Sequence, residues 1–430
     1  MSSDTHALVD HLFRQQSGQM VAWLTRILGP ANLELAEEVV QDALVKALQQ
    51  WPFSGIPSNP SGWLFTVARN GALDTLRRKV SFRDRESAIT AELQLRSIAL
   101  SPAPGEIQDD ELRMVFMCCH PGLPRDASVA LSLKTVGGFS TSEIARAFLT
   151  SDAAVAQRIV RAKRFLRDER IPFDLPAPPG LLARLDAVLD VIYLMFNEGY
   201  GAHAGEDLVR QDLCHEAIRL GRLVAASAAG APAADALVAL MAFQASRIPT
   251  RVGAGGELAL LEDQDRSLWD QRLIAMGFAY FEHSASGTAL SNYHLEAAIA
   301  AIHAAAPSPG GTDWTRILAH YDELASKTAS PVVRLNRAVA LARVRGPEDA
   351  LQEISRIEAS GALASYYLLP AVKGALLMQT GDIEGAAHAF REALVRRCSE
   401  PERRFLLRRL SECAATTAPD PEGNRILRSA

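Results

Sequence analysis

From Ser140 to Arg170, apolar residues recur at intervals of three and four, and the pattern breaks once, at Thr150 and Ser151. It predicts two helices joined by a short turn. Ser140 and Glu143 have the S-x-x-E spacing of a capping box, which places the first helix start near Thr141. Ser151 can cap a second helix beginning near Asp152, whose carboxylate suits the positive end of a helix dipole. On that helix Val155, Ile159, Ala162 and Leu166 form one apolar stripe, while Ala153, Gln157, Arg161 and Arg164 point the other way. A basic, amide-bearing face with small residues at its start can enter a DNA major groove. The same face would also serve as an ordinary solvated surface.

The rest of the chain follows the same period. A first helix is expected over His6–Leu28, ending at Gly29-Pro30, and a second over Leu33–Trp51. In the second, Ala36, Val40, Ala43 and Ala47 share an apolar face, and Glu38, Gln41 and Asp42 lie off it as an acidic, amide-rich strip. A proline-bearing loop, Pro52–Gly62, leads into a helix from Trp63 that carries Asn70 and Asp74 and ends on Arg77, Arg78 and Lys79. Val80–Asp110 reads as a linker through Ser101-Pro102-Ala103-Pro104-Gly105, with Glu106, Asp109, Asp110 and Glu111 as acids of a solvated tether. Ala127–Val136 is a packing helix before the Gly137-Gly138 turn. Four prolines within Ile171–Gly180 mark a domain boundary. Beyond them the chain is too apolar for disorder, so a further helical domain is expected over 181–415, with a loose polar tail after it.

Charge sharpens this picture. The 430 residues carry a formal net charge of −5, which excludes a general polyanion binder. Yet six cations face two acids from Gly62 to Arg85, and seven face four from Gly138 to Arg170. Two basic islands suggest two contacts with an anionic polymer. The five cysteines are odd in number and lack C-x-x-C spacing, which argues against a disulfide scaffold and a zinc module. In Cys118-Cys119-His120, adjacent helical side chains diverge by about 100°, so buried thiols are expected there, with no metal and no cofactor. No apolar run approaches the roughly 20 residues that span a bilayer, and no signal segment opens the chain. No membrane contact and a cytoplasmic location are expected.

Three blocks then point to one family. Ala36-Glu37-Glu38-Val39-Val40-Gln41-Asp42 and Trp63-Leu64-Phe65-Thr66-Val67-Ala68-Arg69-Asn70, followed by Leu73-Asp74-Thr75-Leu76-Arg77-Arg78, resemble region 2 of extracytoplasmic-function (group 4) sigma factors. The helix pair with Arg158, Arg161-Ala162-Lys163 and Leu166 resembles their region 4. The blocks stand in the family's order and cover about residues 6–170. Leu112–Pro121 and Asn197-Glu198-Gly199-Tyr200 resemble one subgroup, which has a large C-terminal extension with tetratricopeptide-like repeats.

The resemblance implies an all-α protein: a region 2 domain (1–80), a linker (81–110), a region 4 helix-turn-helix domain (111–170), a Pro-rich linker (171–180) and a helical-repeat domain (181–415). It implies a subunit, not an enzyme, that binds core RNA polymerase and directs it to promoter DNA. Glu38, Gln41 and Asp42 would dock on the clamp helices of the β′ subunit, with the β subunit as a further partner. Asn70, Asp74, Arg77 and Arg78 would hold melted −10 DNA, with the preceding loop cradling an unstacked base; Asp74 is equally suited to hold Arg77 or Arg78 in place at i+3 and i+4. Ala153, Gln157, Arg158 and Arg161 would meet the −35 duplex, with Lys163 and Arg164 on phosphates.

The extension shows its own repeat. Ala338, Ala350, Ile354 and Ile357 are matched 36 residues later by Gly374, Ala386, Phe390 and Ala393, near the ~34-residue tetratricopeptide period. Asn197, Glu198 and Tyr200 are candidates for a regulatory contact, against the plainer reading of a helix end with Gly199 as its C′ residue. The extension would control activity in cis through a partner or ligand. A stand-alone helix-turn-helix regulator with a repeat sensor is the alternative, but it leaves the Glu38–Asp42 strip and the Trp63–Arg78 helix without a role. A helical-repeat scaffold or small-molecule enzyme is a third reading. Against an enzyme, the chain has no P-loop or nucleophile elbow, and His215-Glu216 lacks the second His of a zinc protease.

Overall fold

Helix ends fall where the sequence places caps and breakers, with instructive exceptions. The computed structural model describes residues 16–79, 104–148, 150–175, 178–201, 209–227, 231–253, 255–286 and 290–417; within its helices the side chains at 77–79, 104–109, 146–147, 178 and 417 lie outside the description. The start of the expected first helix, the linker from Val80 to Ala103 and the tail after Thr417 also lie outside it. The regular structure of the described residues is helical, apart from one isolated antiparallel bridge between Val252 and Leu258. The chain divides into two compact units, residues 1–199 with 211–230, and 200–210 with 231–430.

The first unit opens with α1 (residues 16–28), α2 (Leu33–Ser54) and α3 (Pro60–Lys79). The stripe Ala36, Val40, Ala43, Ala47 of α2 is buried with Trp23, Leu24, Leu64 and Ala68. Trp23 meets Phe65 edge to face at 5.3 Å. Here the expected loop Pro52–Gly62 contracts to 55–59. Pro52 rides in the last turn of α2, and Gly55, at φ 82, is the residue that stops the helix. Pro60 then opens α3, where a missing N–H costs nothing, and Asn59 Oδ1 accepts the Gly62 N–H at 2.9 Å.

Next come α4 (Pro104–Cys118), α5 (Arg125–Thr135), α6 (Thr141–Ala147) and α7 (Asp152–Asp168). Asp110 and Glu111, at the end of the expected linker, are not acids of a solvated tether. Asp110 is fully buried between Arg26 (2.8 Å) and Arg113 (3.0 Å), and Glu111 is buried against Arg219. Burial, aided by the neighbouring Glu216 carboxylate, pushes Glu111 up to about 8. These residues belong to a packed helix because α4 extends back to Pro104. Cys118 and Cys119 are buried free thiols beside Thr135 and Ser132, and burial pushes Cys118 up to about 12.

Two helices beyond the Pro-rich stretch complete this unit, α8 (Pro178–Tyr200) and α9 (Gln211–Ala226). Arg184 donates to the Phe116 carbonyl at 2.8 Å, Arg125 pairs with Asp190, and Arg219 reaches Glu111. The boundary read from prolines at 171–180 therefore separates segments that the structure holds in one unit. Prolines interrupt helices, but side-chain contacts decide which helices pack together. Gly199 is not a C′ residue either. It sits inside α8, and a Cβ there would lie 2.8 Å from Leu213 Cβ and 2.9 Å from the Cys214 nitrogen, so the glycine lets α8 and α9 meet closely.

The second unit runs through α10 (Pro232–Ala245), α11 (Gln271–Ser284), α12 (Asn292–Ala305), α13 (Trp314–Lys327), α14 (Pro331–Arg345), α15 (Pro347–Ser360), α16 (Leu368–Thr380), α17 (Ile383–Val395) and α18 (Glu400–Thr417). From α12 onward each helix packs on the next, as a stacked repeat requires. The repeat positions read from sequence are core positions. Ala338, Ala350, Ile354 and Ile357 lie in one cluster, and Ala386, Phe390 and Ala393 in the next. Gly346 (φ 102) and Gly381 (φ 84) make the matching turns.

Gly374 supplies a test of this packing. An exposed helical Gly→Ala exchange gains roughly 0.5–1 kcal/mol. A Cβ on Gly374 would instead lie 2.8 Å from the fully buried Phe390 ring. Overpacking at about 1–3 kcal/mol should win. Gly374→Ala is expected to destabilise the second unit by about 1–2 kcal/mol, read as faster amide exchange in α16 and α17.

Candidate nucleic-acid interface

The face of α7 is set by what it buries. Val155, Ile159, Ala162 and Leu166 are all core residues, and α7 packs on α5 and α6. The capping box holds α6: Ser140 Oγ accepts the Glu143 N–H at 3.2 Å, and Glu143 Oε2 accepts the Ser140 N–H at 2.7 Å. Ser151 Oγ accepts the Ala154 N–H at 3.3 Å and starts α7. With the stripe locked inward, Ala153, Gln157, Arg161 and Arg164 are all exposed on one outward face. This is the arrangement of a helix that presents small, amide and guanidinium groups to a groove.

Two of the six −35 candidates do not share it. Arg158 is half-buried and its Nε lies 3.0 Å from Asp126 of α5. Lys163 is turned inward, its ammonium bonded to Glu37 of α2, with side chains only 14% and 17% exposed. The step from Gln157 to Arg158 is about 100° round the helix, and so is that from Ala162 to Lys163. That phase difference was present in the sequence, but the acid each cation would meet was not.

On α2, Glu38, Gln41 and Asp42 are exposed, with Glu34, Lys46 and Gln49 beside them. On α3, Asn70 and Asp74 are exposed, and Arg77 and Arg78 fall on its last turn, outside the described side chains. Sequence reasoning missed two apolar groups near the short loop. Phe53 is 91% exposed and Ile56 is 45% exposed, while Trp51 and Trp63 pack edge to face at 5.4 Å beneath them in the chain. An aromatic residue within Trp-Pro-Phe-Ser-Gly-Ile-Pro was the available signal.

The two modules are not independent in this structure. Lys163 bonds Glu37, and Arg26 of α1 bonds Asp110 of α4. Gly18 of α1 abuts the Val136 carbonyl with no room for a Cβ. A Cβ on Gly138 would lie 3.1 Å from Ser17 Oγ. Also, α7 touches the Pro30–Asn32 turn. These contacts close the α1–α3 bundle against the α4–α7 module.

Comparison with known proteins identifies both modules. The Sigma-70 region 2 model matches residues 12–81, and the Sigma-70, region 4 model matches residues 113–166. The chain belongs to the extracytoplasmic-function sigma factors. The protein named R00370 of Rhizobium meliloti is 40% identical to this sigma factor over 396 residues, 90% of this chain and 92% of that one. The ECF RNA polymerase sigma factor SigL of Mycobacterium tuberculosis is 27% identical over 162 residues, 37% of this chain and 88% of SigL. "Probable RNA polymerase sigma factor RfaY" of Xanthomonas campestris is 32% identical over 142 residues, 32% of this chain and 34% of that one. Residues 184–285 match a family of unknown function, DUF6596. No solved structure matches the chain. No described helix is long and apolar enough to cross a membrane.

The closure between the two sigma modules has a direct test. A charge-assisted bond of this burial contributes about 1.5–3 kcal/mol. With fluorophores at the exposed positions 49 and 169, Glu37→Lys and Lys163→Glu should each lower energy transfer, and the double exchange should restore it. Three equal signals would leave the closed arrangement without this bond as its latch.

Proposed function

We propose that this sigma factor binds core RNA polymerase in the cytoplasm and directs initiation at promoters with separate −10 and −35 elements. The observation that carries this reading is the outward face of α7, where Ala153, Gln157, Arg161 and Arg164 are exposed together over a fully buried stripe. Gln157 and Arg161 read base edges of the −35 duplex and Arg164 lies on a phosphate. Arg158, held by Asp126, steadies α7 on α5 and reaches the backbone from its rim. Lys163 joins the phosphate contacts once it leaves Glu37. Glu38, Gln41 and Asp42 form the polymerase-facing strip of region 2, docking on the β′ clamp helices. Asn70 and Asp74, with Arg77 and Arg78 at the end of α3, face the melted −10 strand. Phe53 offers a ring for stacking an unpaired base, an interaction worth about 1–3 kcal/mol per base. Polymerase performs the chemistry, and the sigma factor supplies position.

The closed arrangement bears on how that position is reached. A Lys163 bonded to Glu37 cannot also neutralise a phosphate. The bond therefore competes with DNA contact, and binding must repay its loss. Polymerase, which grips region 2 beside Glu37, is the partner able to do so.

The −35 assignment predicts that Gln157→Ala and Arg161→Ala each reduce discrimination between matched and mutated −35 elements by about 1–3 kcal/mol in run-off transcription. An unchanged preference would remove α7 from base reading. Regulation in cis by the extension, with Asn197, Glu198 and Tyr200 among its candidates, needs a cut at the structural boundary. Ending the chain at Gly180 would strip α8 and α9 from the first unit. A chain ending at Gly230 keeps that unit intact, and its transcript yield with core polymerase should differ from that of the full chain; equal yields would refute control by the second unit.

A further inference from the structure

Among the described residues, eight arginines of the second unit have a carboxylate partner, including the five that follow. Arg334 pairs with Glu353, Arg337 with Asp322, Arg343 with Glu262, Arg396 with Glu392 and Arg408 with Glu257. Arg247 and Arg251, which flank the 3-10 turn Ile248–Thr250 after α10, have none among the described residues. Both are half-buried. Both guanidiniums sit over the Tyr200 ring, at 3.7 Å for Arg251 and 5.8 Å for Arg247, and Arg251 Nε is buried with no hydrogen-bond partner. Glu257, six residues on in the chain, pairs with Arg408.

A third cation stands close by. The Asp270 N–H bonds the Ser246 carbonyl at 2.9 Å, and the Trp269 indole bonds Thr250 Oγ1 at 3.1 Å, which brings the Arg266–Leu268 turn onto the Arg247–Arg251 turn. Arg266 lies over the Trp269 ring and donates to the carbonyls of His303 (2.9 Å) and Ala306 (2.6 Å), closing the C-terminal end of α12. His303 is only 9% exposed, and its Nδ1 is buried with no partner. Burial, with Arg247 and Arg266 pressing on the ring, holds this imidazole down to about 3, so it is neutral at physiological pH. The helix end offers partial negative charge to Arg266; the Glu296 carboxylate and Arg247 both face the Tyr321 hydroxyl, but among the described residues no carboxylate pairs directly with Arg247 or Arg251.

Like charges gathered half-buried, with no carboxylate bonded to them, repel one another, and an anion seated between such guanidiniums relieves that repulsion. We propose that Arg247, Arg251 and His303 form a binding site for an oxyanion, the phosphate or carboxylate of a small molecule. Planar guanidiniums donate in parallel to two oxygens, and the Tyr200 ring holds that plane for Arg251. The neutral imidazole adds one directed N–H. The donor set is directional, which favours an oxyanion over chloride. The site lies within the second unit, with Arg247, Arg251 and Arg266 inside the stretch matched by the family of unknown function. It is independent of the promoter reading.

Equilibrium dialysis of the full-length protein tests this, with sodium phosphate and sodium succinate in separate arms at constant ionic strength set by sodium chloride. Saturable binding near one per chain is expected. Binding in the phosphate arm, the succinate arm or both tells which oxyanion the site takes. Arg247→Gln and Arg251→Gln should each weaken it about tenfold or more, and Arg337→Gln, whose native partner is Asp322, should not. Circular dichroism checks that the variants fold. In the wild type, the His303 ring resonances should move on titration, a readout that needs no variant. Binding of neither anion above the chloride background overturns the proposal, and so does binding that survives both glutamine exchanges.

Discussion

Burial of four residues on one side of α7 is the constraint on which its outward face depends. Val155, Ile159, Ala162 and Leu166 must leave water together, and at a period of 3.6 this fixes the rotation of the whole helix. Every other residue of α7 then has its direction assigned. Gln157, Arg161 and Arg164 point outward because their neighbours point in. Arg158 and Lys163, one step off that face, reach acids on α5 and α2. A basic helix is therefore not uniformly a DNA-binding helix. Its cations divide by angle into those left to solvent and those that hold the fold.

The same reasoning explains why the two sigma modules meet. A lysine angled toward the core edge needs an anion, and Glu37 supplies one from α2. Buried Asp110 needs cations and takes Arg26 from α1 as well as Arg113 from its own helix. The absence of side chains at Gly18 and Gly138 lets the backbones approach. Satisfied charges and small residues thus join two modules that a long intervening segment would otherwise leave apart.

The second unit follows a different economy of charge. Its repeats pack through small residues opposite large ones, Gly374 against Phe390 being the clearest pair. Acids of this unit hold several of its arginines in ion pairs, Arg334 with Glu353 and Arg337 with Asp322 among them. Against that background the turn carrying Arg247 and Arg251 stands out as positive charge gathered around an aromatic ring and a neutral buried histidine.

Periodicity alone was enough for the helices, the caps at Ser140 and Ser151, the apolar stripes of α2 and α7 and the 36-residue repeat. Each of these depends on residues within a few turns of one another, so local spacing carries the information. The motif blocks sufficed for the family. What stayed hidden depends on residues far apart in the chain. Pro52 looked like a helix end, but Gly55, with its positive φ, made the break. Asp110 and Glu111 looked solvated until Arg26 and Arg219, some 84 and 108 positions away, were placed beside them. Prolines at 171–180 looked like a domain boundary, but α8 and α9 pack back onto the first unit through Arg184, Asp190 and Arg219. A charge in sequence has only a sign. Tertiary structure alone decides whether its partner is water, DNA or another residue, because that depends on which distant helix is brought within about 3 Å.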